Sequence, residues 1–71
     1  MDRQPVSSSS LASVGYDGAS NTLEIEFKHG SIYQYYDVPA EVHAGLRKAS
    51  SLGQYFQANI KNGGYRYRQI R

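Results

Sequence analysis

From Thr22 to Lys28 the chain alternates strictly between apolar and polar residues. Leu23, Ile25 and Phe27 fall on one side and Glu24, Glu26 and Lys28 on the other, the period of two that marks a half-buried strand. His29-Gly30 breaks the alternation, and Ser31-Ile-Tyr-Gln-Tyr-Tyr-Asp resumes it with β-prone aromatics, which predicts a hairpin. Two registers compete. A two-residue loop at His29-Gly30 pairs Phe27 with Ile32 and puts Gln34 among the apolar residues. A three-residue loop, Lys28-His29-Gly30 with Gly30 left-handed, pairs Ile25 with Tyr33 and Leu23 with Tyr35. The second is preferred because it buries no amide, and a one-residue slip would turn a whole strand over.

The pattern on either side is weaker but readable. Met1-Asp-Arg-Gln-Pro and the run Ser7–Ser10 are polar and aperiodic, so residues 1–6 are expected to form a flexible arm outside the domain at 7–71. Leu11–Asp17 reads as a modest strand, closed by a turn at Asp17–Asn21. After Pro39 the period changes to that of a helix, with Val42, Leu46 and Ala49 following Val38. Gly45 inside this helix costs about 1 kcal/mol against alanine and therefore predicts a close packing contact. Ser50-Ser51 breaks this helix and caps a second short one carrying Leu52, Tyr55, Phe56 and Ile60, which ends in a C-cap and turn at Lys61-Asn62-Gly63-Gly64. Tyr65–Arg71 alternates like an edge strand, with Tyr67 directed at the helices. The expected fold class is α+β in the order β-β-β-α-α-β: a three-stranded antiparallel meander, two short helices packed on one face, and a C-terminal strand at the sheet edge.

Composition narrows what such a domain can do. Seventy-one residues make a small single domain that buries about 60% of its unfolded surface, so dimerisation would help its stability. There is no cysteine, hence no disulfide and no thiolate metal or redox site. No stretch resembles a signal peptide or approaches the ~18 apolar residues of a membrane span, so a cytoplasmic location and no membrane partner are expected. The net charge of +2 hides a polarity: residues 1–46 hold six acids against Arg3 and Lys28, whereas residues 47–71 hold six bases and no acid.

Several of these residues resemble a known family. Val14-Gly-Tyr-Asp, Leu23-Glu-Ile-Glu-Phe-Lys-His-Gly-Ser-Ile-Tyr-Gln-Tyr, Val38-Pro39 and Ser51-Leu-Gly-Gln-Tyr-Phe-Gln-Ala-Asn-Ile-Lys occur in the order seen in the KTSC domain. That domain is found at the C-terminus of some lysyl-tRNA synthetases and as small stand-alone bacterial proteins. The resemblance covers roughly residues 6–70. It implies a small bacterial domain, and through the synthetase context it suggests RNA. The family's central Tyr-x-Tyr is matched by Tyr33-Gln34-Tyr35, but the resemblance assigns it no role.

Enzymatic chemistry finds little support among the residues themselves. The serine run has no base beside it, and His29 and His43 fall at a hairpin tip and on a polar helix side, where a solvated histidine is the ordinary outcome. Glu24 and Glu26 share a strand face about 7 Å apart, yet they alternate with core residues as outward glutamates do. No phosphate-binding glycine loop occurs, no His, Asp or Glu spacing makes a metal site, and no cofactor is expected. Nucleic acid has more in its favour, because unpaired strands are held by stacking bases on aromatic rings while cations track phosphates. On that reading Tyr33, Tyr35 and Tyr65 are the stacking residues, and Lys61, Arg66, Arg68 and Arg71, joined by Arg47 and Lys48, take phosphates. The competing reading is a protein partner or a homodimer formed through an open sheet edge, with the arginines merely protecting that edge.

Overall fold

The hairpin takes its three-residue form. In a computed structural model, which describes all 71 residues, the Phe27 and Gly30 amides donate to Ser31 O and Phe27 O, each at 2.9 Å. Gly30 has φ +107°, a region an L side chain rarely enters. Strand β3 (Thr22–Phe27) therefore pairs with β4 (Ile32–Tyr35) as Ile25 with Tyr33 and Leu23 with Tyr35. The tyrosines thus lie on the apolar side and Gln34 on the other.

The sheet is larger than the pattern suggested. It has five strands, all antiparallel, in the order β1-β2-β3-β4-β5. β2 is Leu11–Asp17 and β5 is Tyr67–Gln69. The additional strand, β1, is Gln4–Pro5, which was expected to belong to a loose arm. Gln4 pairs with Val14, Pro5 with Ser13, and the Val6 amide donates to Ala12 O at 3.1 Å. Two residues are too few to show alternation, and the proline is tolerated because an edge strand leaves some amides unpaired. The chain order is thus β-β-β-β-α-α-β, and the meander has four strands before the helices.

Helix α1 (Ala40–Lys48) starts directly after Pro39, one residue later than a proline in the first turn would place it. Helix α2 (Leu52–Phe56) is capped by Ser51, whose hydroxyl accepts from the Gln54 amide at 3.3 Å. It runs into a π-helical turn, Gln57–Lys61. Both helices lie on the apolar side of the sheet. Leu11, Val14, Leu23, Ile25 and Tyr35 from the strands meet Val38, Leu46, Phe56 and Ile60 in one core. Ile32 is buried outside that core, on the opposite face, while Ile70 is largely exposed and does not join it.

Gly45 marks where the helices touch. A Cβ there would lie 2.2 Å from the Tyr55 hydroxyl oxygen and 2.7 Å from Cζ, so the phenol end of the ring packs against bare backbone. Alanine gains about 1 kcal/mol of helix propensity but overpacks the contact at about 1–3 kcal/mol. Gly45→Ala is expected to lose about 1 kcal/mol in chemical denaturation, and Tyr55→Leu on that background to recover it. A stabilised Gly45→Ala protein would show that the ring swings aside freely.

His43 is not simply solvated. His43 stacks on Tyr16 with centroids 4.6 Å apart and 14° between planes. Burial, and then the Arg47 cation one turn on, holds its pKa below 6.5. Tyr16 in turn donates its hydroxyl to Val38 O at 2.6 Å, tying β2 to the segment that starts α1. His29 is exposed, but its ring lies parallel to Phe27 at 5.6 Å.

Candidate nucleic-acid interface

Because β4 alternates, Tyr33 and Tyr35 share the helix side of the sheet, and the pairing of Tyr35 with Tyr67 puts Tyr67 beside them. The three rings form a tilted cluster with centroids 5.7–6.3 Å apart. Phe56 from α2 meets Tyr35 and Phe27 edge-on at 5.6 and 5.3 Å. Beyond Phe56 the helices no longer cover the strands. An open cleft of about 820 Å³ remains there, walled by Phe27, Tyr33 and Tyr35 on one side and by Phe56, Gln57 and Lys61 on the other. Its rim carries His29, and the Ser9-Ser10 segment closes one end.

The two tyrosines of the Tyr-x-Tyr are not equivalent. Tyr35 is a core residue, 6% exposed, and burial together with Tyr33 and Tyr67 pushes its phenol up to about 12. Only its edge reaches the cleft. Tyr33 is half-buried and ties β5 down through its hydroxyl, which donates to Gln69 Oε1 at 3.2 Å. Tyr67 points toward the helix side as expected, yet it overhangs the last covered position and is 64% exposed. Tyr65, expected to stack on bases, packs half-buried against the core, where a Cβ on Gly63 would come within 2.8 Å of its ring. The accessible aromatic surface is therefore Tyr33 with Tyr67, and Tyr67 was not among the residues singled out from the sequence.

The cations divide between faces. Lys61 leaves the π-helical turn at the mouth of the cleft and makes no ion pair. Arg66 and Arg68 alternate with Tyr67 and so lie on the sheet face away from the helices, Arg68 opposite Gln34. On that outer face Arg66 reaches Asp37 at 3.2 Å and lies over the Tyr36 ring at 5.6 Å. Arg71 reaches Glu26 at 3.1 Å, and Arg3 pairs with Glu24. Among these residues four arginines face three carboxylates, so no uniformly basic surface arises. Arg47 and Lys48 sit in the last turn of α1, where cations suit the helix dipole. The sequence-derived set is thus split: Tyr33, Tyr35 and Lys61 come together, while Arg66, Arg68 and Arg71 gather on the opposite face.

Glu24 departs furthest from its expected place. Instead of projecting into solvent it is 4% exposed. Arg3 covers it from the N-terminal segment, and Gln34 Nε2 donates to Oε1 at 2.9 Å. Burial alone would raise its pKa; the bonds from Gln34 and Arg3 and the charges of Arg3 and the N-terminal ammonium overcome that and hold it low. It is a structural carboxylate. No three His, Asp or Glu side chains converge as a metal site would require, and no helix is long and apolar enough to cross a membrane.

Comparison with known proteins places this architecture. A crystal structure of a KTSC domain protein from Yersinia pestis superimposes with a TM-score of 0.90 at 42% identity, covering 99% of this chain and 97% of that one. An uncharacterized protein of Stutzerimonas stutzeri is 46% identical over 99% of both chains. Lysine–tRNA ligases of Trichormus variabilis and a Nostoc species match 78% of this chain at 44% and 46% identity, within a stretch that is 10% of each ligase. The KTSC domain model itself matches residues 7–67, and with the fold shared along the whole length, this chain belongs to the KTSC domain family.

Proposed function

We propose that this domain is a non-enzymatic module that binds unpaired RNA of the tRNA type, with bases received at the aromatic cleft. The observation that carries this reading is the conjunction of Tyr33 and Lys61 lining one open cleft, with the exposed Tyr67 ring 6.0 Å from Tyr33. Every base has a π face, so stacking grips unpaired strands whatever their sequence, at about 1–3 kcal/mol per base. A cation beside the ring supplies the phosphate contact that turns stacking into nucleic-acid binding. A similar stretch within lysine–tRNA ligases, enzymes named for a tRNA substrate, points the same way.

Titration of the isotope-labelled protein with a short single-stranded RNA and with bulk tRNA, at two salt concentrations, tests the proposal. Amide shifts are expected around Phe27–Tyr35 and Gln54–Asn62, weakening as salt rises. Tyr33→Ala is expected to cost about 1–3 kcal/mol of binding, whereas Arg66→Ala with Arg68→Ala costs much less. An unchanged spectrum at low salt would overturn the reading. A second reading, strand addition by a protein partner or a second copy, rests on β5: it ends the sheet, and all three of its residues are exposed. In the same titration it predicts shifts on residues 66–70 that follow protein concentration and not RNA.

A further inference from the structure

The serine run finds no place in stacking or in the basic tail, yet it borders the cleft. Ser9 and Ser51 line the aromatic cleft and also a second, polar depression of about 670 Å³, so the two adjoin across these serines. The second part is lined by Ser7, Ser8, Ser50 and Lys28. The segment is held in place. Ser8 Oγ accepts from the Ser10 and Leu11 amides at 3.2 Å each, and Ser10 sits so close to Gly53 that a Cβ there would meet its hydroxyl at 2.8 Å. Taken together, the adjoining depressions make a groove that offers an aromatic wall, serine hydroxyls and two lysines, Lys61 in one part and Lys28 in the other. No aspartate or glutamate lines either part, and neither lysine has an ion-pair partner. On the outer face, by contrast, carboxylates sit among the arginines.

Resting on the RNA reading above, we infer that this groove takes one unpaired nucleotide together with both of its flanking phosphates. The base enters the aromatic cleft against Tyr33, one phosphate meets Lys61, and the sugar and second phosphate follow the serines to Lys28. Serine hydroxyls both donate and accept, which suits ribose hydroxyls and phosphate oxygens alike. Two cations set the electrostatic share: for a single strand, neutralising two phosphates gives a slope of log K against log salt of about −1.4. The outer-face arginines take no part.

Nuclear magnetic resonance titrations with adenosine, adenosine 5′-monophosphate and adenosine 3′,5′-bisphosphate test this, beside a ten-residue oligoadenylate. The three small probes are expected to shift the same cleft amides and to bind about tenfold more tightly with each added phosphate. Lys61→Ala or Lys28→Ala, both at exposed positions that leave the fold intact, is expected to remove one step of that ladder and to halve the oligoadenylate slope to about −0.7. If the bisphosphate binds no more tightly than adenosine, or if oligoadenylate shifts only residues 66–71, the inference falls while RNA binding stands. If oligoadenylate shifts nothing at low salt, both fall.

Discussion

Phe56→Ala is expected to lower the unfolding free energy by about 3–5 kcal/mol, the usual range for deleting a buried aromatic ring. In most domains that is a serious loss; here it approaches the whole margin, since a chain of this length holds roughly 4–10 kcal/mol. Phe56 is 5% exposed and is the side chain by which α2 grips the sheet, edge-on to both Phe27 and Tyr35. Few neighbours can close over the hole. The strand side is a pleated wall fixed by its own hydrogen bonds, and the cleft beyond Phe56 already lacks atoms to collapse inward. Phe56→Leu keeps most of the volume and should lose about 1–2 kcal/mol, the edge-to-face geometry included. Urea unfolding at neutral pH distinguishes the two, and amide spectra show whether the cleft residues shift in the leucine variant. A loss below 1 kcal/mol for the alanine variant would mean that the aromatic wall stands without its helix.

The hairpin could be read because several independent signals agreed on it. Alternation fixed the face of β3, and the penalty for burying Gln34 chose the register that Gly30 then permits. Gly45 likewise announced a helix contact, since an unfavourable residue inside a helix needs a compensating reason. Strand parity also placed Arg66 and Arg68 together on one side of β5, with Tyr67 on the other. What local pattern could not reveal was how far the covering elements extend. Tyr67 faces the helices in direction but lies past their end, and Ile70 lies in the open for want of any partner layer. Tyr33 and Tyr35 have the same parity, and only the position of Phe56 makes one of them core and the other cleft wall. Glu24 looked solvated for a related reason: its cover, Arg3, comes from a segment 21 residues away with no periodicity of its own. The candidate site suffered most, because the very alternation that identified the strand turns Arg66 and Arg68 to the face away from Tyr67, Tyr33 and Lys61.

The Glu24 network carries the second large effect. Glu24→Ala is expected to cost about 2–3 kcal/mol, because it leaves the Arg3 guanidinium and the Gln34 amide without their acceptor. The cost stays below that of a fully buried pair since the Arg3 side chain, 25% exposed, retains some contact with water. Arg3 also donates to Ser13 at 3.0 Å, and Ser13 donates to Glu26 at 2.8 Å, so the loss reaches the anchoring of β1. Acid reveals the same contribution without a deletion. The folded-state pKa of Glu24 lies below its ordinary 4.5, so as pH falls the unfolded chain takes up the proton first. The stabilisation is therefore complete above about 4.5 and disappears as pH drops through the folded value. His43, also held low, produces its own loss in a separate and higher window beginning near 6.5. Glu24→Gln keeps the shape and removes the titration, so its stability relative to the unmodified protein should converge as pH falls below 4.5, while the step near 6.5 stays in both. Urea unfolding at pH 7.5, 5.5 and 3.5 checks this. A constant difference between the two proteins across all three would remove Glu24 as a charged partner of Arg3 and leave it only a packing role.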